Sequence, residues 1–435
     1  MMTPTTTTPF QSFQLNHLEF EQIARTLKPI DRHQLEIVNA TLPVVAENAE
    51  AITTRFYQRM FVNHPDLKNI FNQTHQVTGR QPRALAAAVY AAAAHLNDMT
   101  SILPALERIA QKHRSLQIKP EQYPIVGENL LGAIKEVLGD AATDEIIDAW
   151  AGAYGVIADA LIRMEEALYR DTESQPAGWN GFRNFVVDKK VQESDVITSF
   201  YLKPEDNKSI PEFIPGQYIT VKMEVDGEPY THLRQYSLSD RPGVGYYRIS
   251  VKREDSPKSG IPAGVVSSYL HSQVEEGDIL PITAPAGDFH LDMAQDTPVV
   301  LMSGGVGLTP LMSMLNTLVE QSSREVTFVH AAINGNVHAF KNHVQETKKQ
   351  ALNVRSFVIY EKPTEQDVKE HAFAKDGYIT LDWMTENLPK DADFYFCGPT
   401  PFMKAVNLAL KQWGVPSDKI HYEFFGSFGD IESAN

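Results

Sequence analysis

The stretch Gln111–Tyr123, QKHRSLQIKPEQY, sets a histidine just before a turn and a proline just after it. The pattern predicts a helix from about Thr100 to His113, a turn through Arg114 to Lys119, and a new helix from Pro120. Proline suits a first helical position, where its missing N–H is no loss. His113 then projects from a last helical turn toward whatever the bundle encloses. A lone histidine of this kind is more often a satisfied core residue; the competing role is ligation of an enclosed haem iron. Two further residues bear on the choice. Trp150, Tyr154, Ala158, Leu161 and Leu168 share one helical face, and Glu165 falls on the same stripe. A carboxylate there needs a hydrogen-bonding partner, unless it snorkels to solvent beside Arg163 and Glu166. Tyr57 borders the stripe Ile52, Phe56, Met60, as a core tyrosine or as a hydroxyl available for chemistry.

Later in the chain, Arg234–Gln235–Tyr236–Ser237 ends a predicted strand, and Gly264–Val265–Val266–Ser267 opens a predicted helix. Arg234 and Tyr236 share a strand face; an arginine there can grip a pyrophosphate bidentately, and the backbone N–H groups of a helix start form an anion site. Most such arginines are simply solvated, so the pair counts for more than either part. Ser303–Gly304–Gly305–Val306–Gly307–Leu308 links a buried-strand run (Val299–Met302) to a helix opening at Thr309–Pro310. A second strand, Phe394–Tyr395–Phe396–Cys397, runs into Gly398–Pro399 before another helix. Glycine turns at the carboxyl ends of parallel strands are where open α/β sheets bind nucleotides. Cys397 reads as a small residue there, with no histidine adjacent to make it a nucleophile.

The elements that must position these residues fall into three blocks. At 435 residues, two or three domains of about 150 residues are expected. A net charge of −16 argues against nucleic acid or anionic membrane as a general partner. One cysteine excludes an internal disulfide and a Cys-rich zinc site, in keeping with a reducing, cytoplasmic setting. The longest apolar run, Ala84–Ala94, is too short to span a bilayer, and the opening MMTPTTTTP has a disordered composition. From Asp31 to about Tyr169 apolar residues recur three and four apart, with a capping box expected at Asp31 and Gln34. This all-α block gives way to a polar linker, Asp171–Gly181. Then the period becomes two, over Phe185–Val191, Val196–Leu202, Tyr218–Val225 and Tyr246–Lys252, as expected for an antiparallel barrel. From Thr297 strands and helices alternate, as in a parallel α/β sheet.

The segments FYQRMFVNHPDLKNIF (Phe56–Phe71), Gln81–Leu85, IAQKHRSLQIKPEQYPIVGE and DAWAGAYGVIADALI resemble the globin domain of flavohaemoglobins. The resemblance runs from about Pro29 to the end of the chain. It implies an all-α globin domain at 29–172, an antiparallel β-barrel FAD domain at 178–293 and a ferredoxin-reductase-like α/β NAD domain at 297–430. Residues 1–28 are left as an N-terminal extension, partly disordered. The implied cofactors are haem b, FAD and NADH or NADPH, with NADH favoured because no arginine follows the strand Val326–His330 to hold a 2′-phosphate. The resemblance assigns His113 as proximal iron ligand in a relay with Tyr123 and Glu165. It places Tyr57 and Gln81 on the distal side, with Phe71 and Leu85 packing the haem. Arg234–Ser237, Gly264–Ser267 and Tyr218 would hold the flavin. Ser303–Leu308 and Cys397–Pro399 would hold the nicotinamide nucleotide. The segment Phe424–Phe425–Gly426–Ser427 would cover the flavin, Phe425 stacking on it, while Lys112 and Glu423 would tune the redox centres.

The activity so implied is nitric oxide dioxygenation, a detoxification of nitric oxide by O2 with NAD(P)H as reductant, in an enzyme expected to be a monomer free of obligatory membrane association. Two other functions fit the same modules. One is a haem gas sensor or oxygen carrier with its own reductase; the other is an alkyl hydroperoxide reductase.

Overall fold

The computed structural model describes residues 9–71, 80–255 and 263–425, without the side chains of 9–15, 80–84, 86 and 87. The low-complexity start, MMTPTTTT, therefore lies outside the described residues. By backbone proximity the chain divides into two compact units. Among the described residues, the first contains the chain from Pro9 through Phe182 with Lys222–Arg234; the second contains Arg183–Val221 and the chain from Gln235 to Phe425.

The first unit is helical: α1 (Pro9–Thr26), α2 (Arg32–Glu47), α3 (Ala49–Asn63), α4 (Arg80–Ala94), α5 (Leu103–Ser115), α6 (Gln122–Leu138) and α7 (Asp144–Ser174). It has one helix more than the pattern from Asp31 to Tyr169 suggests. Phe20, Ile23 and Ala24 of α1 are buried in a core with Leu103, Leu106 and Leu161, so α1 is part of the bundle. Its face is tied by an ion pair from Glu19 to Arg170 and a hydrogen bond between the His17 ring and Glu107 at 3.2 Å. At α2 only half of the expected capping box forms. Asp31 Oδ1 accepts from the His33 and Gln34 N–H groups, while the Gln34 side chain reaches Asp148 on α7 instead. The linker also begins later than expected: α7 runs to Ser174, with Thr172 buried, and stops one residue before Gln175–Pro176, where a proline cannot extend a helix.

A six-stranded antiparallel sheet follows: β1 (Arg183–Gln192), β2 (Ile197–Pro204), β3 (Tyr218–Met223), β4 (His232–Ser237), β5 (Tyr247–Lys252) and β6 (Ile279–Ile282), in the order β4-β3-β6-β1-β2-β5. A Leu238–Ile249 bridge joins the end of β4 to β5, so the sheet closes into a barrel, with α8 (Val265–Ser272) after β5. The last block is a parallel sheet of β7 (Val299–Gly304), β8 (Val326–Ala332), β9 (Val354–Tyr360), β10 (Lys375–Asp376), β11 (Asp393–Cys397) and β12 (Ile420–Glu423), ordered β10-β9-β8-β7-β11-β12. Its helices are α9 (Leu308–Gln321), α10 (Lys341–Gln350), α11 (Glu365–Lys369), α12 (Leu381–Asn387) and α13 (Thr400–Trp413). Strand order reverses between β7 and β11, so a topological switch point lies at their carboxyl ends. Barrel and parallel sheet share one core, in which Ile197, Phe289 and Leu291 pack with Leu311, Met314 and Leu315 of α9.

Candidate functional site

His113 sits in the last turn of α5. The turn after it is held by the Ile118 N–H bonding the His113 carbonyl at 3.0 Å and by the Tyr169 hydroxyl donating to the Ile118 carbonyl at 2.8 Å. Gln117 takes a left-handed φ of 62° there, a conformation uncommon for a non-glycine residue. Its side chain donates to Arg114 O at 2.9 Å and accepts the Gly181 N–H at 3.0 Å. The His113 Nδ1 lies 2.8 Å from Glu165 Oε1 and 3.1 Å from the Tyr123 hydroxyl, and that hydroxyl donates to the same Oε1 at 2.5 Å. A carboxylate can only accept, so Nδ1 carries the proton. Both described hydrogen bonds of the ring are at Nδ1, leaving the Nε2 lone pair available to a metal. Glu165 is only 3% exposed while the His113 side chain is 31% exposed: the relay is sealed and the ring opens outward from it. Burial, then the Glu165 charge, hold the Tyr123 phenol well above its ordinary pKa, so it stays a donor.

Tyr57 belongs to a second cluster. It is 6% exposed, and its ring meets Phe71 edge-on at 5.7 Å and stacks with Phe61 at 5.8 Å. Half-buried Phe71, Leu85 and Val89 pack against this cluster, and Tyr154 and Ile157 pack against both it and the cluster containing Tyr123. The Gln81 side chain lies outside the described residues. A histidine with a fixed tautomer and a free ring nitrogen, in a unit that also carries half-buried aromatic and aliphatic side chains, fits a haem: a nitrogen ligand for its iron and apolar surface for the macrocycle. Tyr154 has a part the sequence does not reveal. Its hydroxyl donates to the Tyr123 carbonyl at 2.7 Å, fixing the start of α6, and its ring occupies the space a side chain at Gly127 would need. A glycine inside α6 was the available signal.

In the barrel, Arg234, Gln235 and Tyr236 are half-buried and Ser237 is buried. Tyr218 is buried with its ring against Gly287. α8 begins at Gly264 without a side-chain cap, so the N–H groups of its first turn remain for an anion. The Ser267 hydroxyl is committed to the turn itself, donating to Gly264 O at 3.1 Å and accepting from the Glu254 N–H at 3.2 Å. Val265 and Val266 therefore contribute backbone. Phe424 is half-buried while Phe425 is 45% exposed, an aromatic face left for a planar ring; Gly426 and Ser427 lie outside the described residues. These features fit FAD: a pyrophosphate cradle and aromatic surfaces.

The two glycine turns meet at the switch point. A β-carbon on Gly307 would collide with the Cys397 carbonyl, and one on Gly398 would come within 3.1 Å of the Gly304 Cα. Gly305 adopts a φ of 53°, and Val306 and Leu308 carry the chain into α9. The Ser303 hydroxyl is fully buried and bonds His330 Nδ1 at 2.8 Å and the Val329 carbonyl, so Ser303 can offer a ligand only its backbone. Cys397 is fully buried, and burial followed by the Glu423 charge pushes its thiol up, which suits an inert small residue. Pro399 caps α13. Glu423 ends β12 opposite Cys397, and Lys112 precedes His113 in the last turn of α5.

The Globin family model matches residues 54–161, the Oxidoreductase FAD-binding domain 184–291 and the Oxidoreductase NAD-binding domain 301–407. Fold and matches together define a haem globin continuous with a pyridine-nucleotide-dependent flavin reductase. Curated flavohemoproteins resemble the chain over nearly all of its length. That of Halalkalibacterium halodurans is 55% identical over 92% of this chain and 97% of its own; that of Bacillus subtilis is 49% identical over 91% and 98%. The crystal structure of flavohemoglobin from Malassezia yamatoensis, with bound FAD and haem, superposes with a TM-score of 0.78 at 28% identity, over 92% of this chain and all of that one. The FAD/NAD-binding domain of the nitric oxide dioxygenase from Vibrio cholerae matches at 39% identity and a TM-score of 0.52, over 56% of this chain and 98% of its own. The chain belongs to the flavohemoprotein family, and its cofactors are haem, FAD and a nicotinamide dinucleotide. Among the described residues no helix is long and apolar enough to cross a membrane.

Proposed function

We propose that the protein is a nitric oxide dioxygenase, consuming nitric oxide and O2 with reducing equivalents from NADH and releasing nitrate. When bound, the haem supplies the oxygen-binding redox centre and FAD divides the electron pair of a hydride into single electrons. His113 presents Nε2 as the iron ligand. Glu165 holds the proton on Nδ1 and makes the imidazole more basic, which favours activation of oxygen over storage. Tyr123 fixes that carboxylate by donating to it. Tyr57 would offer oxygen a hydroxyl donor from among aromatic rings and Gln81 an amide, while Phe71 and Leu85 would keep water away. Arg234, Tyr236 and the start of α8 orient the flavin, with Phe425 stacking on it. The turns Ser303–Leu308 and Cys397–Pro399 take the dinucleotide, and Lys112 and Glu423 supply the charges that tune electron transfer.

The observation that carries this reading is the sealed Glu165–Tyr123–His113 relay in a chain that brings its own reductase. A carrier needs neither the push on the ligand nor a dedicated electron supply, and the likeness to the Vibrio cholerae nitric oxide dioxygenase domain supports the same activity. The test is aerobic, NADH-dependent loss of nitric oxide by the purified holoprotein. It is expected to be catalytic and to vanish in His113→Ala; equal rates in the two proteins would refute the assignment.

A further inference from the structure

An open parallel sheet receives a dinucleotide across its carboxyl ends, with the pyrophosphate at the glycine turn after the first strand and the adenosine ribose near the end of the next. Here the first strand is β7 and the next is β8, which puts the ribose beside Ala332 and Ile333. The chain leaving β9 stays against that point: the Glu361 N–H donates to the Ala332 carbonyl at 3.0 Å and the Lys362 N–H to the Ile333 carbonyl at 2.8 Å. Glu361 thus stands on the rim of the sheet at the end of β8, its side chain 32% exposed. Lys362, itself 78% exposed, pairs with the Glu361 carboxylate at 3.4 Å.

The other charges near this rim are committed elsewhere. Asp367 is buried and accepts from the Thr364 N–H, the Thr364 hydroxyl and the Gly335 N–H. Lys341 pairs with Glu370 at 3.5 Å. Between Thr297 and Phe425 arginine occurs only at 324 and 355. Both belong to the opposite, amino-terminal ends of the strands, Arg324 buried against Asp393 just before β8 and Arg355 near the start of β9. NADPH differs from NADH by a phosphate on the ribose 2′-oxygen, which asks for a free cation, whereas the cation at this rim, Lys362, is already paired with the Glu361 carboxylate.

We infer that Glu361 is the residue that sets the preference for NADH, accepting a hydrogen bond from the ribose 2′-hydroxyl and repelling a 2′-phosphate. The inference rests on the reading of this rim as the adenosine site and is independent of what the haem does with oxygen. It is tested on the full-length holoprotein by calorimetric titration with 5′-AMP and with 2′-phospho-AMP, for the parent, Glu361→Gln and Glu361→Arg. The parent is expected to favour 5′-AMP. Removing one like charge at this range in a partly exposed site should shift the ratio of the two affinities by about tenfold in Glu361→Gln, and Glu361→Arg should reverse the preference. The NADPH-to-NADH ratio of kcat/KM for ferricyanide reduction should move with it. If 5′-AMP binds and the affinity ratio is the same in all three proteins, the inference is overturned while the adenosine site stands. If the parent binds neither nucleotide, the site and the inference fall together, whatever the nitric oxide activity.

Discussion

Glu165 occupies a position from which a carboxylate without partners would be driven to protonate or to reach solvent. It stays because His113 Nδ1–H and the Tyr123 hydroxyl both donate to the same oxygen. Replacing it with glutamine keeps the shape and an acceptor and removes the charge behind the imidazole. Glu165→Gln should retain haem, lower nitric oxide consumption by about tenfold to a hundredfold, the scale for partners standing behind a metal ligand, and move the iron–histidine stretching band to lower frequency. An unmoved band would reduce Glu165 to a structural role. At this scale the chain is readable where periodicity does the work: Glu165 on the stripe Tyr154, Ala158, Leu161, Leu168 calls for a partner in advance. It is opaque where a hydroxyl serves a backbone group far away, as with Tyr154 on the Tyr123 carbonyl or Ser303 on the Val329 carbonyl.

Elements extend this reading and correct it. The first helix escapes a sequence reading because a threonine-rich start masks it, although Phe20, Ile23, Ala24 and Leu27 already stand at helical spacing. Phe20 is fully buried, so Phe20→Ala should destabilise the helical unit by about 3–5 kcal/mol. A shift in the denaturant midpoint of the haem absorbance reads it out; no shift would make α1 an appendage. β6 is missed for a different reason, since Ile279–Ile282 is short and contains Pro281. Its place in the sheet comes from pairing with β1 rather than from its own pattern. The glycine turns after β7 and β11 are each visible in the sequence, but their contact is not, because it joins segments far apart in the chain. Gly307→Ala should drive a methyl into the Cys397 carbonyl and cost about 1–3 kcal/mol, seen as a lower melting temperature of the flavin-loaded reductase with the haem transition unchanged.

For the molecule as a whole, the order of one helical block, one barrel and one parallel sheet is legible from the changes of period at the linker and near Thr297. Which blocks share a core is not, since Ile197, Phe289 and Leu291 look like ordinary barrel residues until they meet α9. The reductase unit also carries an acid sensitivity of its own. His330 and His338 are buried with ring centroids 4.4 Å apart; burial holds His338 down at about 4 and His330 well below its ordinary value. Both stay neutral in the folded chain, whereas unfolded imidazoles take up protons near pH 6.5. The unfolded state therefore binds more protons between about pH 6.5 and 4. The stability of this unit should be full above that window and fall steadily through it, and His338→Gln should flatten the slope of melting temperature against pH. Gln117, finally, ties the turn behind His113 to Gly181, at the far end of what composition marks as a loose linker. The place where the molecule can be divided therefore lies beyond Gly181 rather than at Pro176. A globin cut at Pro176 would lose the outer anchor of its ligand-bearing turn, and one cut after Phe182 would keep it.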